Sequence, residues 1–179
     1  LVNPALNCVG NLVGVNRGTG EEILRVNILE TFNLVETVKN YSSARLVFSS
    51  SPQVYKLGKS KAPIRETHAT EPDSLYGLSK KAAEDLIRLS GIDYIVLRLS
   101  NVYGPGCRPY YNSVIATLCD QAVRKQPLTI NGEGKQGRDF IYIDDAVQAL
   151  ILAGTQPIKG SVFNVSSNRL ASLRQVVGK

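Results

Sequence analysis

Two short apolar runs on either side of an amphipathic helix constrain this chain more than any other feature. Ala44–Ser50 reads ARLVFSS, an apolar run ending in small polar residues, and Asp93–Leu99 reads DYIVLRL. The first has the character of a strand buried in a parallel sheet. Between them, Ser74–Ser90 places Leu75, Leu78, Ala82, Ala83, Leu86, Ile87 and Leu89 at helical spacings. Gly91 follows where a helix ends. Strand, helix, short turn and strand make a βαβ crossover, which predicts an α/β fold with parallel strands.

The rest of the chain reads less sharply. Glu21–Val38 is a helix by the spacing of Ile23, Val26, Asn27, Phe32, Leu34, Val35 and Val38, and Thr19 can cap it. Leu1–Gly20 has weak periodicity and room for a short strand and a loop. Pro52, Gly58 and Pro63 keep the chain irregular to about Pro72. The two glycines, two prolines and three tyrosines of Asn101–Tyr111 predict a loop. A helix is expected over Asn112–Lys125, a short strand at Leu128–Ile130 before the Gly132-Glu133-Gly134 turn, and another at Phe140–Ile143. Asp144–Ala153 reads as a helix and Val162–Val165 as a strand, with a polar turn at Ser166–Asn168.

Composition excludes several classes. With 179 residues, 43% of them hydrophobic and 20% charged, the chain is long enough for a core and ordinary for a globular protein. It has no apolar run of membrane-spanning length, and no leader pattern is recognised at its start. Cys8, Cys107 and Cys119 are too few and too far apart for a disulfide framework, and with His68 as the single histidine no metal site is expected. The net charge is +6, part of it at Lys56, Lys59, Lys61 and Arg65. No aromatics are interleaved with these bases, so a solvated loop is favoured over a nucleic-acid platform.

The segment that carries chemistry is Tyr76-Gly77-Leu78-Ser79-Lys80. Tyr76 and Lys80 are four residues apart at a helix start and share a face. An ammonium beside a phenol is expected to lower the phenol pKa, so that it can exchange a proton near neutral pH. Upstream, a strand ends in Ser49-Ser50-Ser51, and ligands bind at the carboxyl ends of strands in open α/β sheets.

These residues resemble the extended short-chain dehydrogenase/reductase superfamily, in its NAD-dependent nucleotide-sugar epimerase/dehydratase branch. Leu46–Tyr55 (LVFSSSPQVY) is similar to that family's active-site serine segment, with Ser51 at its catalytic Ser/Thr. Tyr76 and Lys80 match its Tyr-x-x-x-Lys pair. Arg98–Pro105 (RLSNVYGP) is similar to the segment after the next strand, and Gly137–Asp145 (GRDFIYIDD) to a late segment whose arginine contacts substrate phosphate. Asn27 followed by Thr31 resembles the helix ahead of the serine strand.

The resemblance implies a Rossmann-like parallel sheet. It implies a partial NAD-binding region at residues 1–105, followed by a mixed substrate-binding region at 106–179. It assigns Ser51, Tyr76 and Lys80 to catalysis. Asn27, Ser49, Tyr76, Lys80 and Ser100 fall to NAD, and Ser51, Asn101 and Arg138 to the nucleotide sugar. It also implies a cytoplasmic protein that is a homodimer when full length, with no membrane partner, and nucleic acid is not an expected partner.

Parts of the pattern are missing. The Gly-rich pyrophosphate turn and the acidic residue for the adenosine ribose have no candidate, and Glu30 stands where the family has glycine. The chain is therefore expected to be part of a longer protein or a degenerate homologue, and to bind NAD weakly or not at all by itself. Pro52 and Gln53 stand where dehydratases of the family carry an acid pair, which favours epimerase or reductase chemistry. A dehydratase, and a non-catalytic subunit that keeps the fold, remain alternatives.

Overall fold

The computed structural model describes residues 2–3, 8–40, 44–56, 63–111 and 113–178. Gly58, Lys59, Lys61 and Asn112 lie outside the described residues. In chain order the elements are β1 (Val2–Asn3), β2 (Cys8–Asn11), α1 (Gly20–Leu24), a π-helical turn (Arg25–Leu29), α2 (Glu30–Lys39) and β3 (Arg45–Ser50). Then come a 3-10 turn (Pro52–Val54), α3 (Leu75–Leu89), β4 (Tyr94–Leu99), β5 (Asn101–Tyr103), α4 (Val114–Val123) and β6 (Gly137–Tyr142). The chain closes with α5 (Ile143–Thr155), β7 (Ser161–Val165), β8 (Leu170–Ser172) and α6 (Leu173–Val177). Among the described residues, no helix is long and apolar enough to cross a membrane.

Two compact units share the chain. The first comprises Leu1–Leu99 and Gln148–Asn164, the second Ser100–Val147 and Val165–Lys179. The division expected after residue 105 was contiguous. The observed one falls at Leu99, and a later segment returns to the first unit because β7 supplies a strand to its sheet.

That sheet has the order β1-β2-β3-β4-β7. β3 lies parallel to β2 and to β4, with Phe48 opposite Asn11 and Val96, whereas β1 runs antiparallel to β2. Parallel β3 and β4 joined through α3 are the crossover that the sequence predicts. Leu46 and Phe48, two residues apart and so on one face of β3, pack with Val96, with Val35 and Val38 of α2, and with Ala83 and Ile87 of α3. On the opposite face Val47, Ile95 and Leu97 are buried as well. Burial on both faces explains why these strands show no alternation. Each such side chain contributes roughly 1.5–3 kcal/mol relative to leaving it in water.

Local chemistry sets the helix ends. The Thr19 side chain accepts from Glu22 N at 3.2 Å, and Ser74 accepts from Gly77 N at 3.1 Å. Gly91 has a φ of 77°, the left-handed turn that releases the chain toward β4. Between α1 and α2 the ladder widens by one residue, with Glu30 N donating to Arg25 O, and Asn27 sits at the centre of this π turn.

The second unit has a sheet of order β5-β6-β8, in which β6 is parallel to β5 and antiparallel to β8. It departs from the sequence reading twice. Asn101–Tyr103, expected in a loop, is a strand paired with Phe140–Tyr142. Leu128–Ile130, expected as a strand, is irregular. The Gln121 side chain takes its backbone partner: Thr129 N donates to Gln121 Oε1 at 3.1 Å, and Gln121 Nε2 donates to Thr129 Oγ1 at 2.7 Å.

Candidate active site

The three serines at the end of β3 make three different attachments. Ser49 Oγ donates to Asn11 O at 3.1 Å, tying the ends of β3 and β2 together. Ser50 Oγ donates to Glu84 Oε1 at 2.5 Å. Ser51 is buried, and its hydroxyl accepts from Gln53 N at 3.3 Å as the cap of the 3-10 turn. The same hydroxyl lies near enough to the Tyr76 phenol to influence its ionisation.

Tyr76 lies in the first turn of α3, half-buried. Gly77 lets that turn come close, since a Cβ there would lie 2.2 Å from Gln53 O. Burial raises the phenol pKa, and the Ser51 contact partly offsets it. The expected lowering by Lys80 is not what this geometry produces.

Lys80 follows one turn later, at 3% exposure. Its Nζ donates to Ser49 O at 3.0 Å and to Val13 O at 3.5 Å, and stands 4.7 Å from the centroid of the Phe48 ring. The ammonium is thus committed to one carbonyl near the end of β3 and one in the loop after β2. Burial pulls it from its ordinary value of 10.5 down to about 8, against the opposing influence of Glu84. A lysine ammonium has three N–H donors, so one remains for a ligand beside these two bonds.

Asn27 joins the loop after β2 to α3. Its Oδ1 accepts from Val15 N at 2.8 Å, and its Nδ2 donates to Val15 O at 2.8 Å and to Ser79 Oγ at 2.9 Å. Ser79 Oγ in turn donates to Tyr76 O at 2.8 Å. The loop passes so close to Lys80 that a Cβ on Gly14 would lie 2.9 Å from Nζ. Asn27 thus supports Lys80 and Tyr76 through backbone and hydroxyl contacts.

Behind Lys80 lies a buried ion pair. Arg98 on β4 donates to both carboxylate oxygens of Glu84, Nε to Oε1 at 3.0 Å and Nη2 to Oε2 at 2.6 Å. Arg98 Nη1 also donates to the Tyr55 hydroxyl, which donates to Asn164 Oδ1 at 2.9 Å. Breaking one member of such a pair costs about 3–5 kcal/mol, because the other charge stays buried.

Ser100, Asn101 and Arg138 belong to the second unit. Ser100 Oγ donates to Asp139 Oδ1 at 2.9 Å and Asn101 Nδ2 donates to Asp139 O at 2.9 Å. Arg138, opposite Ala171 in the sheet, is exposed and has no ion pair among the described residues. Its neighbour Asp139 is occupied, accepting from Ser100 Oγ, Ser167 N and Arg169 N.

Glu84, Arg98, Ser79 and Asp139 were missed in the sequence. Glu84 had a legible signal, since it lies four residues beyond Lys80 and so on the face that carries the site.

Residues 6–166 match the profile of the NAD dependent epimerase/dehydratase family. The UDP-glucuronate 4-epimerase of Thermodesulfobacterium geofontis is 33% identical over 84% of this chain and 47% of its own length. The dTDP-glucose 4,6-dehydratase of Neisseria gonorrhoeae is 31% identical over 89% of this chain and 50% of its own. The crystal structure of UDP-glucose 4-epimerase from Thermotoga maritima, with UDP-glucose, superposes with a TM-score of 0.89 at 29% identity, covering 96% of this chain and 59% of that one. The chain spans about half the length of the curated relatives it matches.

Proposed function

The chain belongs to the NAD dependent epimerase/dehydratase family, and from that premise we propose that the complete protein epimerises a nucleotide sugar with bound NAD, Tyr76 exchanging the proton of a sugar hydroxyl. The observation that carries this reading is the Lys80 ammonium held to Ser49 O at the carboxyl end of a parallel strand, on the face of α3 that also carries Tyr76, with Ser51 beside the phenol.

The residues present fit the nicotinamide-ribose end of NAD. Lys80 has an N–H to give, and Gly14 keeps the space beside its Nζ free of a side chain. NAD, when bound, supplies the hydride acceptor and donor. Ser51 orients the sugar hydroxyl, and Tyr76 takes its proton as the carbon is oxidised and returns it as the carbon is reduced. Tyr76 sits with a raised pKa. Positive charge brought next to it, from Lys80 and from the ligand, is what would lower that value on binding.

Pro52 and Gln53 favour epimerisation over elimination of water. Neither carries an acid, and Gln53 Oε1 is occupied in accepting from Ser74 Oγ at 3.2 Å. Arg138 is proposed to pair with substrate phosphate, for which a guanidinium is well shaped. Asn101 is proposed to contact the sugar nucleotide and Ser49 and Ser100 to line the NAD side, whereas Asn27, 1% exposed and with both amide hydrogens given to Val15 O and Ser79 Oγ, supports the site from behind and does not touch the cofactor. A homodimer is proposed on the exposed apolar side chains of the packed helices, Leu24, Leu29, Phe32, Leu75 and Leu78.

In the complete protein, Tyr76→Phe should lower kcat for interconversion of a nucleotide sugar about 10²–10⁴-fold, with KM little changed. Chromatography of UDP-sugar epimers over time checks this. Unchanged turnover in the variant would remove Tyr76 from the mechanism, and a dehydrated product would replace epimerase by dehydratase.

A further inference from the structure

We propose that Glu84 is a positioning residue for the Tyr76–Lys80 pair, holding the serine segment in place through Ser50 and supplying the buried counter-charge to the Lys80 ammonium. The inference rests on the catalytic reading of that pair.

The first half of the argument is geometric. Glu84 grips the middle member of Ser49-Ser50-Ser51, with Ser50 Oγ 2.5 Å from its Oε1. The residue on one side of Ser50 gives its carbonyl to Lys80, at 3.0 Å. The residue on the other side, Ser51, lies beside the Tyr76 phenol and influences its ionisation. One carboxylate therefore holds the point between the residue that fixes Lys80 and the residue beside Tyr76. Arg98 fixes that carboxylate through both oxygens, so it cannot swing away.

The second half is electrostatic. Glu84 and Lys80 are one turn apart on the same face of α3, and both are buried, at 7% and 3% exposure. The elements around Lys80 offer few other charges. The loop after β2 gives the Val13 carbonyl, the π turn gives neutral Asn27, and β3 gives the Ser49 carbonyl and the Phe48 ring. α3 itself adds Tyr76, while Lys81 is turned to Asp85. β4 brings Arg98, whose guanidinium shares the Glu84 carboxylate with Lys80. A merely structural ion pair would anchor α3 to β4 without touching the ionisation of Lys80. Here Glu84 opposes the fall that burial imposes on it.

The test is the titration of Lys80 in the complete protein, followed by NMR with ¹³Cε-labelled lysine and assigned with Lys80→Arg. Glu84→Gln keeps the shape and removes the charge. The Lys80 midpoint should fall by about one pH unit or more, and the alkaline limb of the kcat profile should move with it while KM for the nucleotide sugar stays within about two-fold. A folded Glu84→Gln protein with an unmoved Lys80 midpoint overturns the counter-charge role. If Glu84→Gln does not fold, Glu84→Asp decides, since it keeps the charge but withdraws it by one methylene. A smaller downward shift is expected there, and none overturns the proposal. Ser50→Ala should leave the midpoint in place and lower kcat about ten-fold, and unchanged kcat removes the positioning role. A protein that turns over no nucleotide sugar defeats the catalytic reading, whereas the Lys80 midpoint still decides the counter-charge.

Discussion

At Lys80 the molecule keeps a charge where burial disfavours it. Its pKa is about 8 in the fold against an ordinary 10.5. Below about pH 8 the group is protonated both folded and unfolded, and the fold bears the whole cost, about 3 kcal/mol at 1.36 kcal/mol per unit. Between about 8 and 10.5 the unfolded chain binds the extra proton, so stability rises with pH across that window. Lys80→Met should therefore be more stable than the parent at pH 7 by about 1–2 kcal/mol, after allowance for the lost hydrogen bonds, and the gap should close toward pH 10. Urea unfolding at both pH values checks this, and an offset independent of pH would contradict it. Gly77 is the other residue whose chemistry is dictated by contact. The methyl of Gly77→Ala would meet Gln53 O at 2.2 Å. It should destabilise the fold by about 1–3 kcal/mol and separate Tyr76 from Ser51. Denaturation and kcat should fall together, and a variant that loses neither would show that the turn yields freely.

The helix before β3 shows what periodicity can and cannot tell. Ile23, Val35 and Val38 are buried as their spacing requires. The five-residue turn at Arg25–Leu29 is invisible to a 3.6-residue template, because only one extra residue separates it from a regular helix. That turn carries Asn27, whose three hydrogen bonds were beyond reach of the sequence since Val15 and Ser79 are 12 and 52 residues away. Asn27→Ala leaves Val15 N and O unpaired and should cost about 2–4 kcal/mol. Loss of hydrogen-exchange protection at the Val15 amide is the accompanying signature, and retained protection would show that water replaces the side chain. β5 was hidden for another reason. Three residues in a Gly- and Pro-rich segment have no pattern of their own, and their strand character comes from β6. α6 was legible but unread: Ser172 and Gln175 form a capping box, visible as Ser-x-x-Gln. The placement of Ser51 just past the end of β3, and of Tyr76 and Lys80 on one face of α3, was legible from the strand-end pattern and helix spacing. The direction of the Tyr76 pKa was not, because it depends on where the Lys80 ammonium points.

For the whole molecule, the proposed dimer has a direct check. Phe32 and Leu78 are 44% and 50% exposed on packed helices of the first unit. Sedimentation of the complete protein should give a dimer, and Phe32→Glu or Leu78→Glu should shift it toward monomer without unfolding. A dimer indifferent to both would place the interface elsewhere. The first unit is also not continuous in sequence, and this gives it a timetable. β4 ends at Leu99, but its neighbour β7 begins at Ser161. A ribosome adding about 5–20 residues per second needs roughly 3–12 s to make the stretch between them. Throughout that interval the nascent sheet presents an unpaired edge at Tyr94–Leu99, rich in β-branched and aliphatic residues and open to a strand from another chain. Protection of that edge during synthesis is thus a demand that the order of the strands places on the cell.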